Sequence, residues 1–324
     1  MALIKNLMSQ AGFLSVAENT GPVISTILVA ISKSSKGSLW PIYFIITSIP
    51  PHHRSKMDNL IVASLWFGPT NPGMSCMLQP VLNKIPNINS KGFDVHSATS
   101  KTVYLRTTLL MGVFDLPARA AATNTKQYNG EYSCLYCLDK GVYQNRARIF
   151  PPNGACTLQT TEQMRNAPYS LRKHMSNINK LLSKFKPPNE VLRHPRSIDN
   201  MSFYKASEYR AWLLFYSLPI LSNFLPIEYI HHFLLLVSST HILLSDSIKT
   251  GDLELVDRKL LAFYQSAVDF YSTNVYTANI HSLAHIVSLV KLWSPLWAYS
   301  MFGFENIHGY LGTTFHVTKK SHPR

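Results

Sequence analysis

The sequence predicts an α/β protein with a mixed sheet in its first third and a helical layer in its second half. Three observations predict it. β-branched and aromatic runs recur before residue 68 with only short polar links between them. A helix-like stretch then separates them from one more apolar run, which ends at Asp115. From Lys205 onward the apolar residues change to a spacing of three and four.

Residues 23–31 form a β-branched run suited to a buried strand, followed by the polar turn Lys33-Ser34-Ser35-Lys36-Gly37-Ser38. Residues 39–47 predict a second strand, closed by Pro50-Pro51, and residues 59–67 a third, ended by Gly68-Pro69. Residues 72–85 predict a helix, 103–114 a return to the sheet, and 118–123 the opening of another helix. Three strands, a helix and a fourth strand ending in an Asp is an order that fits the ribonuclease-H-like fold. Residues 143–202 are polar, rich in Arg, Lys, Asn and Pro, and broken at Lys186-Pro187-Pro188; they read as a basic linker or a basic surface. Helices are then predicted over 206–218, 226–247, 253–271 and 278–293. In the third, Leu253, Val256, Leu260, Leu261, Tyr264, Ala267, Val268 and Tyr271 make one apolar stripe. The expected divisions are a divergent N-terminal segment 1–32, core strands with a Cys block over 33–142, a linker 143–202, a helical region 203–293 and a C-terminal core helix with a basic tail over 294–324.

The 324 residues are 46% hydrophobic, enough for a real core, which excludes a disordered tail. Lys and Arg number 31 against 17 acids, a net charge of +14 spread along the chain. A polyanion suits such a surface, nucleic acid before an acidic membrane; the other reading is a basic protein with no such partner. Four cysteines, Cys76, Cys134, Cys137 and Cys156, are too few for a disulfide scaffold and suit a reducing compartment or a metal. The longest apolar stretches, residues 23–31 and 232–244, fall short of the eighteen or so residues of a membrane span. Lys5 and a diffuse apolar start without a clear cleavage site do not make a signal peptide.

Several residues can carry chemistry. Asp115 closes the fourth strand, where α/β folds usually hold ligands, although an Asp before Leu116-Pro117 also suits a helix N-cap. Cys134-x2-Cys137 follows it, and His281-x3-His285 sets two imidazoles on one helix face. Together these four make a Cys2His2 set suited to a structural Zn2+; the other reading is buried thiols and core histidines. His231-His232 point to different faces and read as bystanders. Glu305 is a lone acid in an aromatic stretch, costly unless paired or metal-bound, or else a first-turn acid on a last helix. Lys319, Lys320 and Arg324 in the basic tail can touch phosphate or remain solvated.

These blocks, in this order, resemble the transposases of CACTA (En/Spm-type) DNA transposons, in the form found as transposase-domain proteins of animal genomes. Ser34-Ser35-Lys36-Gly37-Ser38-Leu39-Trp40-Pro41-Ile42, with Pro50-Pro51 and Arg54, looks like the family's first sheet block, and Leu65-Trp66-Phe67-Gly68-Pro69 like its next strand. Asp115-Leu116-Pro117-Ala118-Arg119 with Tyr128-Asn129-Gly130 and the Cys pair resembles its central block. Pro195-Arg196-Ser197, the run from Tyr204 to Arg210, and Asn279 through Glu305 resemble its helical part.

The resemblance implies an RNase-H-like mixed-sheet core interrupted by an α-helical insertion, with two Mg2+ ions held between carboxylates for DNA strand cleavage and transfer. Asp115 would be the second acid and Glu305 the third, and the Cys and His pairs would staple the insertion to the core. The family's first acid, an Asp-Gly shortly before the Ser-Ser block, has no counterpart: no Asp precedes Asp58, and Glu18 is the only earlier acid. The expected partners are transposon-end DNA and a second copy of the chain, with no membrane, and the expected location is the nucleus. The implied protein is a truncated or rearranged transposase; the alternative is a non-catalytic, domesticated DNA- or protein-binding module.

Overall fold

The computed structural model describes residues 23–301 except 31–32, 35–37, 48, 55, 97–101, 145, 153–170, 190, 192 and 272. Two compact units divide the chain, Met1–Gln127 with Ser300–Arg324 and Tyr128–Tyr299, so the second interrupts the sequence of the first.

The first unit is built on a mixed sheet. Its strands are β1 (Val23–Ala30), β2 (Lys33–Ser34), β3 (Ser38–Ile46), β4 (Leu60–Gly68), β5 (Phe93–His96) and β6 (Thr102–Phe114). β1 runs antiparallel to β3, with Ala30 opposite Ile42, and β3 antiparallel to β4, with Trp40 opposite Trp66. β6 lies parallel to β1, with Phe114 opposite Ala30. β2 pairs with the start of β3, and β5 adds antiparallel to β6. The predicted mixed sheet with an antiparallel start is therefore present. β5 has no sequence signal, because four residues are too few to show a period.

Helix α1 (Met74–Lys91) buries Met74, Met77, Leu78, Leu82 and Ile85 against Trp40 and Ile42 of β3. It runs six residues beyond the predicted end at Ile85. Pro80 and Pro86 both lie on its exposed side, where water can satisfy the carbonyls that a proline leaves unpaired. Gly92, at φ 63°, closes the helix with its N–H on the Ile88 carbonyl. Opposite Thr26 and Ile27 of β1, β6 carries one extra residue, Leu110. That bulge resets the alternation of the strand, so Leu109 and Phe114 pack with α1 while Met111 and Val113 pack with Ile45 and Met301 on the other face. At Gly112 a side chain would meet the Phe114 ring at 2.4 Å, so this position admits only glycine without a shift of the ring.

Helix α2 (Leu116–Thr123) follows β6 directly. The second unit opens with the hairpin β7 (Val142–Gln144) and β8 (Ala147–Ile149). Its helices are α3 (Met175–Lys184), α4 (Ala206–Ala211), α5 (Ser217–Leu221), α6 (Ile227–Leu243), α7 (Thr250–Phe270), α8 (Ala278–His281) and α9 (Leu283–Trp293). Residues Trp212–Tyr216 join α4 to α5 as a π-helical stretch. Residues 143–202, expected as a linker or a basic surface, include most of the hairpin and all of α3, and Ile178, Leu182 and Ile198 are buried with Trp212, Tyr216 and Ile220. Their apolar positions are too widely spaced among polar residues to stand out in sequence. On α7, Leu261 is 45% exposed and Phe263 takes its place in the buried stripe.

Two buried polar groups pin this unit. The Glu208 carboxylate accepts from Arg196 at 2.8 and 2.9 Å and from the Lys205 backbone N–H at 2.8 Å. Arg196 holds its carboxyl down to about 2, against the opposing effect of burial. His232, expected as a bystander, is 4% exposed and stacks between Phe263 and Phe270 at 4.6 and 4.3 Å. A helix face that packs on α7 leaves no room for solvent. Its Nε2–H donates to the Phe263 carbonyl at 3.1 Å, and Nδ1 accepts from the Tyr271 hydroxyl at 3.2 Å. Burial pushes the His232 pKa below its ordinary 6.5.

Both shifts are depressions, so each group's stabilisation is present above its unfolded pKa and lost as pH falls. Thermal melts of the metal-free protein are expected to lose stability below pH 6.5, from His232 together with His285 of the Cys–His cluster, and again from pH 4.5 toward 2, from Glu208. His232→Gln should make the loss below pH 6.5 shallower and leave the acid one; an unchanged slope below pH 6.5 would refute the assignment.

Candidate metal centre and the Asp115 carboxylate

Cys134 and Cys137 lie in the turn-rich loop before β7. Tyr132 adopts φ 54° and Gly141 φ 64°, and the Gly141 N–H donates to Asp139 Oδ1 at 2.8 Å. Arg148 of β8 donates to the Gly141 carbonyl at 3.1 Å and lies 3.7 Å from Glu131, tying the loop to the hairpin. At the other end of the unit, the Thr277 side chain caps α8 by accepting from the Ile280 N–H, which sets His281 at the end of that short helix. After a break at Ser282, α9 carries His285, and Val287 and Val290 anchor it against Val256 and Leu260 of α7.

The structure brings the four residues together. The ligand atoms of Cys134, Cys137, His281 and His285 all lie within 4.8 Å of one another. Cys137 Sγ is 3.2 Å from His281 Nε2, and the two Nε2 atoms are 3.3 Å apart. A tetrahedral zinc site with Zn–S of about 2.3 Å and Zn–N of about 2.0–2.1 Å has edges of roughly 3.3–3.8 Å. The donor set suits that ion, and the separations of 3.2 and 3.3 Å lie near those edges.

Electrostatics act unequally on the ligands, favouring the metal-binding form at Cys134 and His285 and opposing it at Cys137. Burial opposes a thiolate at Cys134, but its polar contact with the His281 ring, and hydrogen bonds from the backbone of Tyr136 and Cys137 and from the Cys137 side chain, outweigh it and bring the thiol down to about 7. The Cys137 thiol is pushed up, by burial first and then by its neighbour Cys134. Burial and then the neighbouring His281 push His285 down, toward the neutral imidazole that a metal requires. Aromatic rings enclose the cluster: Phe150 stacks on His281 at 5.0 Å, and Tyr136 lies 5.5 Å from His285. Phe150 and Tyr264, both buried beside His281, escape sequence reasoning. Tyr264 reads there as part of an apolar stripe; its hydroxyl, which must find a partner when buried, is the signal that could have found it.

Asp115 follows β6 directly. Its Oδ1 accepts from the Ala118 N–H at 2.8 Å, so the side chain is the N-cap of α2. The parallel register sets it beyond Phe114 and Ala30, at the carboxyl ends of both strands. Described positions 23–30 of β1 supply no carboxylate there. Asp58 precedes β4, whose Leu60 pairs with Ile45, so it belongs to the opposite end of the sheet. Among the described residues one carboxylate is thus available at this end, and a two-Mg2+ site does not fit on Asp115 alone. Glu18, Glu305, Lys319, Lys320 and Arg324 lie outside the described residues.

The full chain, refolded with metal, is expected to bind one Zn2+, and Co2+ in its place should give the visible bands of a tetrahedral thiolate site. Cys134→Ser with Cys137→Ser should abolish both signals. Retention of one equivalent of zinc in that double variant would remove the assignment.

Residues 30–164 match the sequence profile described as Transposase family tnp2. That segment contains Asp115 and the Cys pair but not His281 or His285. No curated protein matches the chain at a significant level. Among the described residues no helix is long and apolar enough to cross a membrane. Over residues 30–164 the chain is similar to that transposase family, and the protein is transposase-like.

Proposed function

We propose that this is a transposon-derived protein of CACTA type that binds DNA, with an RNase-H-like core in the first unit and a zinc-clasped helical insertion in the second. The strand pattern carries the fold reading: an antiparallel β1, β3, β4 series, then a helix, then β6 parallel to β1 with an Asp at its end. The Cys2His2 set would hold the zinc by its two thiolates and two Nε2 atoms, and the ion would supply a cross-link rather than reaction chemistry.

Basic side chains support the DNA-binding reading. From Leu171 to Asn189 the chain has no carboxylate, and Arg172, Lys173, Lys180, Lys184 and Lys186 are all exposed while Ile178 and Leu182 face the core. Asp199, which accepts from Asn179 at 2.7 Å, is the acid at the margin of this surface. Phosphates would pair with the lysines and release counterions. Acting on chromosomal DNA, the protein would work in the nucleus, alone or as a homo-oligomer.

Duplex binding is expected to weaken steeply with salt, and Lys173→Glu with Lys180→Glu and Lys184→Glu should weaken it at least tenfold. The salt slope should fall by about 0.9 for each phosphate that the variant no longer neutralises. Binding that ignores both salt and the triple reversal would refute this reading.

Strand cleavage is the second reading, favoured by the location of Asp115 at the end of β6. It requires Glu305 and a first acid as partners. Asn caps a helix as well as Asp does, whereas Ala costs about 1 kcal/mol. Asp115→Asn should therefore keep stability and abolish any Mg2+-dependent nicking of DNA ends. Nicking at the wild-type rate in Asp115→Asn, or none in the wild type, would exclude catalysis through this carboxylate.

A further inference from the structure

We propose that Tyr264 selects the tautomer of His281 that can ligate a metal, and so ties the metal centre to the exit of the β7–β8 hairpin. This rests on the Cys2His2 reading of the site, and it follows from counting protons.

The Tyr264 hydroxyl has one hydrogen and two neighbours, the Phe150 carbonyl and His281 Nδ1 at 3.0 Å. A carbonyl has no hydrogen to give, so Tyr264 must donate to Phe150. Toward His281 it can then act only as an acceptor, which requires Nδ1 to carry the hydrogen. A neutral imidazole has a single N–H, so Nε2 is left with its bare lone pair. That is the atom 3.2 Å from Cys137 Sγ and 3.3 Å from His285 Nε2.

Water cannot relieve this constraint. Phe150, Tyr264 and His281 are 0, 5 and 6% exposed. Nor can the carbonyl readily turn away, because the Phe150 N–H donates to the Tyr276 carbonyl at 2.7 Å and the Phe150 ring stacks on His281. Buried His232 shows the same device with the opposite result. There a backbone carbonyl takes the Nε2–H and a tyrosine hydroxyl donates to Nδ1, leaving no lone pair for an ion. In both cases a carbonyl and a tyrosine settle the tautomer, and only the atom that each one meets differs. Tyr264 is a positioning residue here: it acts on the ligand, not on the metal.

The test uses the full chain with 15N-labelled histidine. In the metal-free wild type, long-range 1H–15N correlations should show His281 protonated at Nδ1 and bare at Nε2; the reverse would overturn the proposal. Tyr264→Phe keeps the ring and removes the hydroxyl. Competition against a chromophoric chelator should show Zn2+ affinity lowered about 10–100-fold, the usual loss for an outer ligand partner. The variant leaves the Phe150 carbonyl unpaired, so its metal-free form will also melt lower. The zinc-bound form should therefore lose more stability than the metal-free form. Equal losses in the two forms, or unchanged affinity, would show a merely structural hydroxyl and refute the proposal. A wild type that takes up no Zn2+ would remove the metal centre itself, and the 15N result would still decide the tautomer.

Discussion

Parallel pairing of β1 with β6 is the constraint from which the first unit follows. Parallel neighbours cannot be joined by a tight turn. Between these two strands the chain has to lay down β3 and β4 on one flank, cross over through α1 and turn back at β5 before β6 can enter. The same pairing aligns the carboxyl ends of β1 and β6 and sets Asp115 where one strand stops. The Leu110 bulge lets that register coexist with two covered faces, since without it Leu109 and Phe114 would face opposite sides.

In the second unit the corresponding role falls to buried polar groups with complete partners. Glu208, His232 and His281 are all buried, and each is met by groups that fix its charge or tautomer. Such groups cost desolvation, which their fixed partners offset. What they add is definition: Arg196 determines how the segment before α4 meets that helix, and His232 determines how α6 meets α7.

Much of this is legible in the sequence where local rules act alone. The three early strands, α2 and the helical half follow from periodicity, and the Cys-x2-Cys and His-x3-His spacings name the four residues that the fold gathers into the candidate metal cluster. Legibility fails where distant partners decide. Pro86 looks like a stop, but its exposed position lets α1 continue to Lys91. Residues 143–202 look like a linker because their few apolar side chains find a core contributed by Trp212, Tyr216 and Ile220. Tyr264 meets a carbonyl 114 positions away, which no spacing rule reports. Asp115 has two readings in sequence; its bond to Ala118 accounts for the capping one without excluding the other.

The four cluster residues sit near the two termini of the inserted unit, Cys134 and Cys137 at its start and His281 and His285 toward its end. An ion held by all four therefore closes a covalent circuit around nearly the whole unit. A cross-link over so long a loop removes about 5 kcal/mol of chain entropy from the unfolded state. It also changes what a break in the backbone means. With such an ion bound, a cut between Cys137 and His281 would open a ring and leave the two pieces joined through the metal, and the unit's integrity would pass from the peptide bond to the ion that spans it.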